Sequence, residues 1–239
     1  MIASLPMYDR PELRGAHDRL WALLDLGLPR TDPDDLWAHW HDPDLLFSQT
    51  CGLPYRMGLD KHLTLLGAPD FKLPGCPPGY YNSVIVTRTD DPRSDMAAFA
   101  KAPVAFNQPH SQSGWGALFA YGAAHGVTFA NLVETGGHAA SARALLDETV
   151  DLACIDAHTY WLLCREMPLA TDLRILDRTP PTPATPYVTA QADRAPQLRA
   201  KLEAAVSALP TDDKAHLGLH GIAHVSHDAF MALPLPPQP

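Results

Sequence analysis

Residues 128–158 read TFANLVETGGHAASARALLDETVDLACIDAH, and this stretch decides the fold. Thr128 to Val133 is an apolar run of strand length, and Leu152 to Ile155 is a second. From His138 to Asp147 the apolar residues recur at helical spacing. Gly136 and Gly137 break the chain where strand must turn into helix. Strand, helix and strand within about 30 residues make a βαβ unit, whose two strands run parallel.

Outward from that unit the alternation continues. Val104 to Phe106 reads as a strand, Ser113 to Ala124 and Ala157 to Arg165 as helices, and Leu173 to Leu176 as a strand. Upstream, Ile2 to Leu5, Asp44 to Ser48, Leu63 to Leu66 and Tyr80 to Val86 are strand-like, and Pro11 to Leu26 is helical. Downstream come a short strand at Tyr187 to Thr189 and a helix from Ala195 to Ala208. The pattern predicts an α/β fold with mostly parallel sheets flanked by helices. The run from Arg178 to Pro186 holds four prolines, is extended and stiff, and suits a crossover between lobes. The tail Pro234–Pro239 is expected to fray.

The chain has 239 residues, 46% of them hydrophobic, enough to bury a core. Its net charge of −9 argues against nucleic acid held on a basic face, but leaves room for a small anion held by neutral donors. No run approaches the roughly 20 apolar residues of a spanning helix, so a membrane-embedded protein is not expected. No export signal is read at the start, which gives a cytoplasmic expectation, or a periplasmic one if a signal was removed or replaced. Cys51, Cys76, Cys154 and Cys164 form no CxxC pair. Cys154 reads as a buried thiol; Cys51 and Cys76 lie in loop-like surroundings and can meet in space.

In α/β sheets, ligands bind beyond the carboxyl ends of strands, where helices begin. Four such junctions carry unusual polar residues. The first is Asn107-Gln108-Pro109-His110-Ser111-Gln112-Ser113-Gly114-Trp115-Gly116, where hydroxyls, an amide and backbone N–H groups at a helix start offer an oxyanion cradle. The competing reading is a plain serine N-cap. The second is Glu134-Thr135-Gly136-Gly137-His138, which is either a donor site or a tight glycine turn with an exposed histidine. The third, Ile155-Asp156-Ala157, places a carboxylate at a helix start, as an N-cap or as an acceptor for a ligand hydroxyl or ammonium. The fourth is Ser48-Gln49-Thr50-Cys51-Gly52. Tyr8, Tyr80 and Tyr81 add phenols that otherwise pack in the core or a cleft wall.

Taken in order, these junctions resemble the PhnD-like family, the phosphonate, phosphite and phosphate substrate-binding proteins of ABC importers. The likeness runs from Ala3-Ser4-Leu5-Pro6-Met7-Tyr8 to Tyr187-Val188-Thr189 and includes Tyr81-Asn82-Ser83-Val84-Ile85-Val86. It implies a two-lobed type II periplasmic-binding-protein fold with a ligand cleft between the lobes. Crossovers are expected near Thr87 to Asp91 and Arg178 to Pro186, giving one lobe of residues 1–88 and 184–239 and another of 89–183. Ser111, Gln112 and Ser113 match the family's anion grip, Tyr81 its strand tyrosine, His138 its histidine donor and Asp156 its acidic position. Tyr8 or its neighbour Met7 lies where the first strand meets the cleft, and Gln49 and Thr50 complete the implied ligand set. The implied partners are a small anionic ligand and an ABC importer permease, with no cofactor. The chain is shorter than typical transport members.

Two other readings compete. Ser113, His138 and Asp156 supply the residue types of a hydrolase triad, although no G-x-S-x-G elbow occurs; an orphan cytoplasmic binding protein with an unrelated ligand is the other. His216, His220, His224 and His227 are spaced by 4, 4 and 3, one stripe on a helix. Glycines at 218 and 221 weaken a helix there, and successive strand positions four apart are about 13 Å distant, so no metal site is expected. His39 and His41, beside Trp37 and Trp40, read as a solvated helix face.

Overall fold

The computed structural model describes residues 1–166 and 169–239. The chain divides into two compact units, the first of Met1–Tyr80 with Thr182–Leu233, the second of Tyr81–Pro181 with Pro234–Pro239.

The sheet of the first unit has the order Ile2–Ala3, Leu45–Gln49, Tyr187–Thr189, Thr64–Asp70, Gly221–Ala223. Ile2–Ala3 pairs with Leu45–Gln49 in parallel, while Tyr187–Thr189 runs antiparallel to both its neighbours. The sheet of the second unit has the order Asn131–Glu134, Pro103–Phe106, Leu152–Asp156, Ser83–Arg88, Leu173–Arg178. Its first three strands are parallel, and Ser83–Arg88 is antiparallel to both neighbours. In each unit the strand that follows the chain's entry from the other unit runs against its neighbours, and in the first unit Gly221–Ala223 is also antiparallel to Thr64–Asp70. The entering strand lies between two others of its sheet, which adds antiparallel pairs to the parallel βαβ pattern.

Ser83–Arg88 therefore lies inside the second unit's sheet, although the sequence reading left it in the first lobe. The second sheet is buried on both faces. Val84, Ile85, Val86, Val104, Leu152 and Ile155 are fully enclosed, and each such side chain contributes about 1.5–3 kcal/mol. Phe99, Trp115, Leu118 and Tyr121 close the core over Ile85 and Cys154. Burial pushes the Cys154 thiol up to about 12. Among the described residues the cysteines form no disulfide.

Two local expectations, on the tail and on His39, are corrected. The tail is docked on the second unit: the Trp115 indole N–H donates to the Pro237 carbonyl at 2.6 Å. His39 is buried, because its Nε2 lies 2.8 Å from the Ser4 hydroxyl, which in turn lies 2.8 Å from that of Ser48. The histidines from 216 to 227 fall on two helices, Thr211–Leu217 and His227–Met231, and on either side of the strand Gly221–Ala223. Among the described residues no three His, Cys, Asp or Glu converge on a metal position, and no helix is long and apolar enough to cross a membrane.

Candidate functional site

The second unit brings the strand–helix junctions with their polar residues to one edge of the sheet. The parallel strands ending at Phe106, Glu134 and Asp156 all deliver their carboxyl ends there, and the register pairs Ser83 with Asp156. Tyr81, Ser111, Gln112, Ser113, His138 and Asp156 thus follow or flank one edge.

The helix expected from Ser113 begins differently. Residues Gln112–Gly116 form a wide π-turn, in which the Gly116 N–H donates to the Ser111 carbonyl at 2.9 Å, and the regular helix is Ala117–Ala124. Such wide turns recur at functional sites. Ser111 caps the turn by accepting the Gly114 N–H at 3.0 Å. The carbonyl of Ser113 is held from below by the Ser83 hydroxyl at 2.7 Å and the Cys154 thiol at 3.3 Å. Gln112 folds back over its own turn, its Oε1 lying 3.1 Å from the place a Cβ on Gly116 would take. The Ser83 and Cys154 contacts hold the turn by its backbone and leave the Ser113 hydroxyl to other partners.

That hydroxyl meets His138. Ser113 Oγ lies 3.0 Å from His138 Nε2, and Asn107 Nδ2 lies 3.2 Å from the same nitrogen. The Asp156 backbone N–H points at Nδ1 from 3.4 Å. A neutral imidazole has one donor and one acceptor nitrogen. With the proton on Nδ1, Nε2 accepts from Ser113 and Asn107; with the proton on Nε2, the ring donates to Ser113 and accepts from Asp156. Each tautomer satisfies part of the set, so the ring is poised between them. The helix His138–Leu146 opens at Gly137, which provides no side-chain cap. Its first N–H groups and its dipole face the same edge.

Burial pushes His138 down to about 4, so the ring is neutral at neutral pH. The sign of the consequence is fixed: the unfolded chain takes up this proton near the ordinary 6.5 and the folded protein only near 4. Stability therefore falls as pH drops through that window. The contribution is up to about 3 kcal/mol and less to the extent that water reaches the ring. We expect His138→Gln to lose this part of the acid slope in denaturant titrations run between pH 4 and 6.5. Equal slopes in variant and parent exclude it.

Asp156 Oδ1 accepts the Thr159 N–H at 2.7 Å, so this carboxylate caps the helix Ala157–Glu166. His138 Nδ1 faces the Asp156 N–H, a donor, whereas a catalytic triad has its carboxylate accept from that nitrogen. Tyr81 is fully enclosed.

The residues expected from the first unit are placed separately. Gln49 spends its amide on Thr185, donating to the carbonyl at 3.2 Å and the hydroxyl at 3.0 Å. Thr50 is fully buried and its hydroxyl donates to the Cys51 carbonyl at 3.4 Å. Tyr8 has the left-handed φ of 60° and packs edge-on to Phe71 at 5.2 Å. The sequence reading singled out neither Asn107 nor Ser83. Asn107 was legible as the first residue after the Pro103–Phe106 strand; Ser83 shows its role only in the pairing register.

Comparison with known proteins adds a family and a fold. Residues 69–230 match the family described as ABC transporter, phosphonate, periplasmic substrate-binding protein. Among curated proteins none matches the sequence. A binding-protein component of an ABC phosphonate transporter from Pseudomonas aeruginosa superposes with a TM-score of 0.74 at 15% identity, over 96% of this chain and 82% of that one. PhnD1 from Prochlorococcus marinus in complex with methylphosphonate gives 0.72 at 13%, over 97% and 94%. XAC2383 from Xanthomonas citri bound to ATP gives 0.71 at 14%, over 98% and 94%. The shared fold is the two-lobed periplasmic-binding-protein architecture.

Proposed function

Because the chain belongs to the family of periplasmic substrate-binding proteins of phosphonate ABC transporters, we propose that it holds the oxyanion of a phosphonate-like ligand on the Ser111–Gly116 turn and the start of the His138 helix. The family binds and delivers its substrate; it does no chemistry on it. The single observation that carries the site is the Ser113–His138 contact beside two helix starts at one sheet edge. An arriving anion draws the Ser113 O–H, while the tautomer with its proton on Nε2 donates to Ser113 Oγ behind it. Ser111 keeps its own O–H for the ligand while its oxygen caps the turn. Neutral donors grip an anion by geometry, without a counter-charge in the turn.

We assign no catalysis to Ser113, since a ring whose proton affinity is depressed by burial is a weak general base. Membership of this family supports a periplasmic working compartment and delivery to an importer permease. The neighbour that holds methylphosphonate makes that compound the first probe. A thermal-shift screen with phosphate, phosphite, sulfate and methylphosphonate tests the reading. At a hundredfold excess over Kd a ligand stabilises the folded protein by about 2.7 kcal/mol, which raises Tm by about 5–10 °C for a chain of this size. No shift with any of the four removes the oxyanion reading.

A further inference from the structure

The C-terminal segment Pro234-Leu235-Pro236-Pro237-Gln238-Pro239 leaves the first unit after Leu233 and packs with the second. Four prolines in six residues favour the polyproline II conformation and supply few N–H groups, so the segment is unsuited to strand pairing. It binds through what it does have, a carbonyl, and the group that meets it is an indole. Trp115 Nε1–H donates to the Pro237 carbonyl at 2.6 Å. Trp115 is itself almost enclosed, with Phe106 at 5.4 Å and the half-exposed Phe119 at 5.9 Å between ring centroids. An aromatic face whose tryptophan donates to a carbonyl of a Pro-x-x-Pro run is the chemistry by which proline-rich peptides are recognised between proteins. Here Pro234 and Pro237 supply the run from the same chain.

The docking point is not neutral with respect to the site. Trp115 is the fourth residue of the Gln112–Gly116 turn, two positions after Ser113 and next to Gly116, whose N–H closes the turn on the Ser111 carbonyl. A side chain pinned from outside at Trp115 limits how far that turn can rewind towards an ordinary helix. We propose that Pro234–Pro239 is a polyproline strap, docked in cis on Trp115, that braces the anion-binding turn and favours ligand binding. The coupling to ligand rests on the assignment of Ser111 and Ser113 made above. By linkage, anion binding must tighten the strap by the same factor that the strap tightens anion binding.

The test compares the intact protein with a chain ending at Leu233 and with Trp115→Phe, which keeps a ring but removes the N–H donor. Amide hydrogen exchange of residues 112–117 is measured without ligand, and methylphosphonate affinity by calorimetry. Faster exchange in both variants, with affinity lowered about five- to tenfold and restored to the truncated chain by excess PLPPQP peptide, is the expected result. Unchanged exchange in the truncated chain overturns the strap, whatever the ligand does. Altered exchange with equal affinity supports the brace and overturns its coupling to the ligand. Altered exchange with no methylphosphonate binding to any of the three proteins supports the brace and removes the ligand reading instead. Loss of a concentration-dependent dimer on truncation overturns docking in cis, since the tail then belongs to a second copy.

Discussion

Replacing both serines of the turn, Ser111→Ala with Ser113→Ala, is expected to abolish oxyanion binding while leaving the protein folded. In the proposed site each hydroxyl donates one hydrogen bond to a charged acceptor, a bond worth about 1.5–3 kcal/mol. Losing two weakens affinity by about a hundredfold or more. The fold survives because of how the turn is held. Ser83 and Cys154 grip the carbonyl of Ser113, which alanine retains. Ser111 does lose its cap on the Gly114 N–H, a cost of about 1 kcal/mol. Calorimetry with methylphosphonate, beside a melting curve for each protein, reads both halves of this expectation. Parent-like affinity in the double variant would sink the site.

Gly114→Ala is expected to damage the same site through crowding alone. A Cβ at position 114 would sit 1.7 Å from Asn107 Oδ1 and 2.7 Å from its Cγ, with Ser111 Oγ at 3.2 Å. Asn107 must swing away, which breaks its 3.2 Å contact with His138 Nε2. Asn107 Oδ1 is already buried with no hydrogen-bond partner among the described residues, so any displaced amide has further polar atoms to satisfy. Overpacking costs about 1–3 kcal/mol, and an orphaned buried polar group about 1–3 kcal/mol more. Tm should fall by about 5–15 °C, with loss of oxyanion affinity. Gly116→Ala is the control two residues on. Its Cβ meets only the far end of Gln112, at 3.1 Å or more, and that flexible amide can give way. Equal melting points for the two alanine variants would remove the packing argument.

Much of the proposed site was legible because it follows from where strands end. The apolar runs at Val104–Phe106 and Leu152–Ile155, and the glycine pair before His138, locate three junctions without any knowledge of the fold. The structure brings those junctions to one edge. The register of Ser83 against Asp156 was not legible, since the local pattern of an apolar strand does not say which strand it will lie beside or in which direction. For the same reason the sequence reading left Ser83–Arg88 in the wrong unit. Nor does local pattern tell a first helical turn from a π-turn: the residues of 112–116 are compatible with either, and the Ser113 carbonyl inside the turn is held by Ser83 and Cys154, which lie 30 or more positions away in the chain.

The 31 residues from Thr128 to His158 were enough by themselves to determine the α/β class, because hydrophobic period and turn chemistry are local properties. They also named His138 and Asp156 as residues at helix starts. Only the tertiary structure decided what those residues do. Asp156 caps its own helix, while His138 turns to Ser113 and Asn107 and loses its proton affinity to burial. The tail that composition alone marks as frayed is docked on Trp115. Burial, tautomer and partner depend on groups far apart in the chain, and no local period carries them.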